Sequence, residues 1–287
     1  MIAAALLLAG AAAAVPPPVP AAARPIAWAL AWSDDFDGPA GAAPDPAKWR
    51  YDVGGDGWGN QEREFYCRPG SAAAPCDAKR PNAHLDGRGR LVIEAFKSSG
   101  TWTSARLKTI GLEELRYGRV EARMRLPAGA GLWPAFWLLG ADVSSAGWPA
   151  CGEIDVMENV PAVGDNPLGP TRIKSTIHGP GYSGEHGVGS VLALPGGGRV
   201  DDAFHVYGVL WSPRRLAFYV DDPDKPFFTA TPASLPQGTR WVYEHPFFII
   251  MNLAVGGSWP RDPDETTPNP ARMLVDWVRV YKPASGR

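Results

Sequence analysis

The sequence is poor in the features that mark most ligand chemistries. With three cysteines it has no C-x-x-C pair, and so no cysteine-based metal motif. Its 28 Lys and Arg nearly balance 30 Asp and Glu, for a net charge of −2. That leaves no basic surplus to hold nucleic acid or an anionic membrane surface. The N-terminal apolar run stops at Pro16, too short to span a bilayer. No segment sustains a 3.6-residue hydrophobic period, which argues against long amphipathic helices, and no internal repeat or second-domain boundary is visible. Against these absences stand 12 Trp, 33 Gly and 30 Pro, a composition rich in aromatic surface and in turns. At 287 residues and 45% hydrophobic, the chain is long enough for one large core.

Residues 1–23 read as a signal peptide and Ala/Pro-rich leader, with A-x-A-like cleavage sites around Ala14 and Ala23 but no basic start. Residues 24–287 are then expected to form a single exported domain, extracellular or periplasmic, monomeric and free of the membrane after cleavage. Cys67 and Cys76 flank the loop Arg68–Pro75, which a disulfide would close for about 2–3 kcal/mol in the chain-entropy picture. Such a bond suits an exported protein. Cys151 is expected to pack as a small buried thiol.

From about Ile26 the chain reads as short strands between turns. Leu91–Ala95 follows the turn Asp86–Gly89, and Arg119–Leu126 alternates charged and apolar residues as a half-buried strand should. Phe204–Trp211, Leu216–Asp221, Phe247–Leu253 and Leu274–Tyr281 continue the series, separated by Gly- and Pro-rich turns. The pattern predicts an antiparallel β-sandwich.

Within it, Glu153-Ile154-Asp155-Val156-Met157-Glu158 sets three acids among apolar residues. A strand puts Glu153 and Asp155 on one face and Ile154 and Val156 on the other, and sends Glu158 to the apolar side. A one-residue bulge near Met157 would bring Glu158 back beside its partners. The two glutamates would then stand about 13 Å apart at the backbone, close enough on a concave sheet for carboxyls about 5–5.5 Å apart. That is the spacing of a retaining glycosidase, with Asp155 sharing a proton with the nucleophile. An arbitrary E-x-D-x-x-E is more often a solvated acidic face. Here Trp133, Trp137 and Trp148 flank the acids, and flat aromatic rings offer apolar faces to sugar C–H groups.

Other segments carry weaker signals. Gly57–Glu62, with Trp58 and Asn60, is polar, Gly-flanked and aromatic, as a cleft rim would be. Arg106 near a strand start is by default a salt-bridge residue, and His178 at the end of an apolar run is by default structural. Trp259 on the Gly256–Pro260 loop suggests ligand contact.

The run Gly152–Asn159 resembles the E-I-D-x-M-E signature of glycoside hydrolase family 16, in the Met-containing form of its laminarinase-like branch. Tyr117–Arg123, Gly131–Trp137, Gly147–Cys151, Thr176–Gly184, Asp202–Tyr207, His245–Gly257 and Leu274–Tyr281 are similar to that branch too, in order, from about Trp32 to Tyr281. The resemblance implies a concanavalin A-like β-jelly-roll with an open concave cleft, and makes 24–287 the catalytic domain. It implies Glu153 as nucleophile, Asp155 as its helper and Glu158 as acid/base. Asn60, Arg106, Trp133, Trp137, Trp148, His178 and Trp259 would line the sugar subsites. It further implies a structural calcium at Asp35, the carbonyl of Gly89 and Asp276, with no cofactor needed for the chemistry. The Cys67–Cys76 insertion departs from the pattern.

The expected activity is secreted endo-β-1,3-glucanase action on β-glucan by double displacement. The alternatives are a β-1,3-1,4-glucanase and a non-catalytic β-glucan-binding protein on the same fold. Crowding of like charges is expected to hold Glu158 protonated near neutral pH while Glu153 stays ionised.

Overall fold

The computed structural model describes residues 27–162 and 168–284, so the expected leader at 1–23 lies outside the described residues. Two sheets pack face to face on one apolar core, which is the predicted jelly-roll sandwich. No helix among the described residues is long and apolar enough to cross a membrane.

One sheet carries the cleft. Its strands are β1 (Arg50–Asp52), β2 (Arg106–Lys108), β3 (Leu132–Gly140), β4 (Glu153–Glu158), β5 (Arg172–His178), β6 (Val188–Ala193) and β7 (Phe247–Val255). They run in the order β6-β5-β4-β3-β7-β2-β1, and Glu114–Leu115 pairs off the path with β7. The opposing sheet is centred on Ala271–Pro283, which lies between Gly118–Arg125 and Leu91–Ser98. In Gly118–Arg125 the sequence alternation is realised directly, with Val120, Ala122 and Met124 in the core.

Two strands show why the cleft floor is firm. All nine residues of β7 are buried; Phe247, Ile249, Met251, Leu253 and Val255 enter the core and the alternate residues form the opposite face. A buried side chain of this size contributes about 1.5–3 kcal/mol. β3 is central too, yet contains Pro134, which cannot donate to a ladder. Its carbonyl accepts from Asn159 N–H at 3.3 Å, just beyond the last residue of β4. The missing N–H therefore falls at the end of the β3–β4 ladder, where the proline interrupts no further pairing.

Candidate active site

The bulge near Met157 is present, and it explains how three acids and three core residues share six positions. Against β3, Asp155 pairs with Trp137 and Met157 with Phe136, so Val156 has no partner of its own. Against β5, Asp155 pairs with Thr176 and Glu158 with Lys174, again one residue in excess on β4. Ile154, Val156 and Met157 all enter the core, while Glu153, Asp155 and Glu158 line a cleft of about 340 Å³ on the other face.

Alternation on β3 supplies the cleft with Trp133, Ala135, Trp137 and Leu139, while Leu132, Phe136 and Leu138 go inward. The indole of Trp133 donates to Glu158 Oε1 at 3.1 Å, and Thr176 Oγ1 donates to Glu158 Oε2 at 3.5 Å. Trp148, half exposed on the loop before β4, donates from Nε1 to Glu153 Oε2 at 3.1 Å. Trp259 stands edge-on to Trp133, with centroids 5.3 Å apart. Arg106 packs its guanidinium over Trp58 and Trp137, 5.1 and 4.7 Å from the ring centres, and is tied to Asp52 at 3.1 Å. Salt-bridging, its default reading, and cleft lining thus both apply.

His178 is opposite Glu153 in the β4–β5 register. Its Nε2 lies 3.1 Å from Asp155 Oδ2 and 3.7 Å from Glu153 Oε1, so the ring faces the acids instead of serving only the turn. Gly187 makes that possible, since a β-carbon there would sit 2.4 Å from His178 Cε1 and 2.6 Å from Thr176 Cγ2. All ten predicted catalytic and sugar-contact residues thus gather at one cleft or its immediate wall.

The electrostatics correct one expectation. Burial pushes the carboxyls of Glu153, Asp155 and Glu158 each up to about 8. The negative charge of Asp155 raises both glutamates further, and His178 lowers both. Removal from water, and not the crowding of like charges, is the first cause of the shift in both glutamates, and it acts on them in the same direction. Burial thus favours the protonated forms near neutral pH, which suits Glu158 to giving a proton.

Sequence reading missed four side chains: Asn252, Tyr66, Glu62 and Lys174. Asn252 on β7 accepts from Trp137 Nε1 at 2.8 Å and donates to Tyr66 OH at 3.1 Å. Tyr66 in turn donates to Glu62 Oε2 at 2.9 Å, and Asn60 donates to Glu62 Oε1 at 3.0 Å. Lys174, opposite Glu158, holds its ammonium 5.3 Å from the Trp259 ring centre. The signal for Glu62 was its place beside Asn60 in a Gly-flanked segment; Asn252 is the one polar residue of an otherwise apolar strand.

Cys67 and Cys76 form the expected disulfide, and Cys151 is buried, with its thiol pushed up to about 11 by burial. At the predicted calcium position, a β-carbon on Gly89 would stand 3.8 Å from the Asp35 carbonyl and 3.5 Å from Asp37 Oδ1, so those groups do converge. The carboxylates of Asp35 and Asp276, however, are each engaged by a guanidinium, from Arg279 and Arg123, both at 2.7 Å. The oxygen cage that calcium requires is therefore only partly assembled by these residues.

Comparison with known proteins extends these observations. The profile described as glycosyl hydrolases family 16 matches residues 76–279. A β-glucanase of Rhodothermus marinus is 41% identical over 268 residues, 89% of this chain and 85% of that protein. The catalytic domain of an endo-1,3-β-glucanase (laminarinase) from Thermotoga petrophila has a TM-score of 0.78 at 37% identity, covering 91% of this chain and 100% of that one. The endo-β-1,3-glucanase from Pyrococcus furiosus has a TM-score of 0.77 at 41% identity, covering 90% and 96%. Profile, sequence and fold agree along most of the chain, and the chain belongs to glycosyl hydrolase family 16.

Proposed function

We propose that this chain is an endo-β-1,3-glucanase that hydrolyses its substrate with retention, and that the bulge in β4 is the feature that makes it one. By placing Glu153, Asp155 and Glu158 on the cleft face, it sets two carboxyls on one side of a sheet lined by tryptophans. The Glu153 carboxylate attacks the anomeric carbon as the Glu158 carboxyl gives its proton to the departing glycosidic oxygen, leaving a glycosyl ester on Glu153. Water then attacks the same carbon, Glu158 takes its proton, and the ester bond breaks to restore Glu153. Burial of Glu158 supports its service as an acid at neutral pH. Asp155 is the helper of Glu153, and Asn60, Arg106, Trp133, Trp137, Trp148, His178 and Trp259 hold the sugar rings. The relatives' names support the β-1,3 linkage.

The same reading makes residues 24–287 a single, monomeric catalytic domain exported by the leader at 1–23. It includes a structural calcium at Asp35, Gly89 and Asp276, which would have to displace Arg279 and Arg123. Melting in millimolar calcium against chelator tests that ion; an unchanged melting temperature removes it. The activity is tested by incubating the protein with laminarin, lichenan, curdlan and agarose and following the first-formed anomer by proton NMR. Laminarin cleavage with an initial β anomer is expected, and an initial α anomer would overturn the mechanism.

A further inference from the structure

We infer that Glu153, Asp155 and His178 form a binding site for one divalent transition-metal ion of the zinc type, and that ion and glucan exclude each other there. The exclusion rests on the glycosidase reading; the site itself does not.

Donor atoms of these three side chains lie within 4.8 Å of one another, the only such group of three His, Cys, Asp or Glu side chains found among the described residues. The distances suit a metal. Ligands about 2.0–2.2 Å from a four-coordinate zinc stand about 3.3–3.6 Å apart along the tetrahedral edge. The imidazole nitrogen lies 3.1 and 3.7 Å from the two carboxylate oxygens, on either side of that value.

Hydrogen bonding supplies an independent pointer. Asp155 is 4% exposed, and its Oδ2 accepts no hydrogen bond, although His178 Nε2 is its near neighbour. A buried carboxylate oxygen without a donor is costly. A cation seated between Oδ2 and Nε2 would satisfy both atoms at once.

The site is also held in place. Glu153 and Asp155 lie on β4, and His178 lies opposite Glu153 on β5. The His178 carbonyl is fixed by Tyr243 OH at 2.8 Å, and Gly187 leaves room for the ring. Little ordering is needed on binding. One imidazole with two carboxylates favours zinc-like ions over calcium, which takes oxygen alone. An ion here draws on the Glu153 electron pair required for attack on the sugar, and its remaining coordination position faces the cleft. Metal and substrate therefore compete.

The test is isothermal titration of zinc chloride into the full chain, in buffer without chelating components. One ion per chain is expected, with a Kd on the order of micromolar. His178→Gln and Asp155→Asn should each weaken it at least about tenfold. His186→Gln alters an exposed two-donor pair with Glu185 at 3.6 Å and should leave binding unchanged. Near-UV circular dichroism confirms that each variant is folded. Glu158→Gln keeps all three ligands while removing the proposed acid; in that variant a saturating laminarin oligosaccharide should weaken zinc binding at least about tenfold. Absence of saturable binding below about 1 mM, or equal affinity in His178→Gln, overturns the site. Zinc binding with the expected variant pattern but no glucan hydrolysis would leave the site standing and remove the glycosidase reading. Laminarin hydrolysis without zinc binding does the reverse.

Discussion

Two clusters of buried acids border the same cleft and are treated in opposite ways. Along β4, Glu153, Asp155 and Glu158 are lifted by burial, the two glutamates also by the charge of Asp155, and Asp155 Oδ2 has no donor at all. Under the rim, Glu62 has both oxygens taken, by Asn60 and Tyr66, and Glu64 accepts the Val255 N–H at 2.6 Å. Burial and the neighbouring Glu62 hold Glu64 well above the usual carboxylate range. A protonated Glu64 can turn its proton toward Glu62, whose own oxygens receive Asn60 and Tyr66. Similar groups at similar depth thus do different work. The acids of β4 line the cleft beside indoles, and the rim acids are tied to the backbone and side chains that form its wall.

The comparison is sharpest when both clusters receive the same substitution. Glutamine imitates a protonated glutamate in shape and can donate, but it cannot release a proton. In Glu158→Gln the proposed acid and base are lost, and kcat on laminarin should fall on the order of 10³-fold or more while the fold persists. Glu64→Gln supplies the same donor to Glu62 and the same acceptor to Val255, so activity should stay within about twofold. Steady-state kinetics on the two purified variants decides the matter. A severe loss in Glu64→Gln would show that its proton moves during turnover and would erase the distinction drawn above.

Stability against pH gives a second, smaller contrast. An acid whose folded pKa is raised binds its proton more tightly in the native state. Its contribution is fully present below the unfolded value and is lost as pH rises through the folded one. For Asp155 that window runs from the ordinary Asp value up to about 8. Wild-type stability should therefore decline between roughly pH 5 and 8, and Asp155→Asn should flatten the decline, gaining about 1–3 kcal/mol over wild type at pH 8 and little at pH 4. Glu64→Gln should flatten it in the same direction. Urea melts at the two pH values read this directly. Equal effects at both would mean that packing, and not charge burial, is being altered.

Much of this was legible from the chain. Strand-forming alternation in Arg119–Leu126 and the wholly apolar run of β7 state their own burial, and the parity argument at Glu158 demanded a bulge that is present. The three acids and their tryptophans were found because chemistry and local period point the same way. What escaped depends on contacts remote in sequence. Asn252 meets Trp137 and Tyr66 across separations of 115 and 186 residues, and no local pattern carries such a pairing. Lys174 escaped because its importance comes from β-register alone, which sets it opposite Glu158. That burial raises both glutamates was also out of reach, since depth is not fixed by spacing.

Lys174 offers the finest test of how the acids on β4 are told apart. Its positive charge favours the ionised forms of Asp155 and Glu158, and it is not among the groups acting on Glu153. Removing the charge with Lys174→Met should therefore raise Glu158 and leave Glu153 nearly unmoved. In the pH dependence of kcat/KM, the alkaline limb reports loss of the acid's proton and the acidic limb reports ionisation of the nucleophile. The variant should move the alkaline limb upward by about half a pH unit and hold the acidic limb in place. Because methionine keeps much of the apolar stem against Trp259, the rate at the optimum should change by no more than about threefold. A shift of both limbs together would mean that the three acids titrate as one group, with no residue in β4 owning the proton.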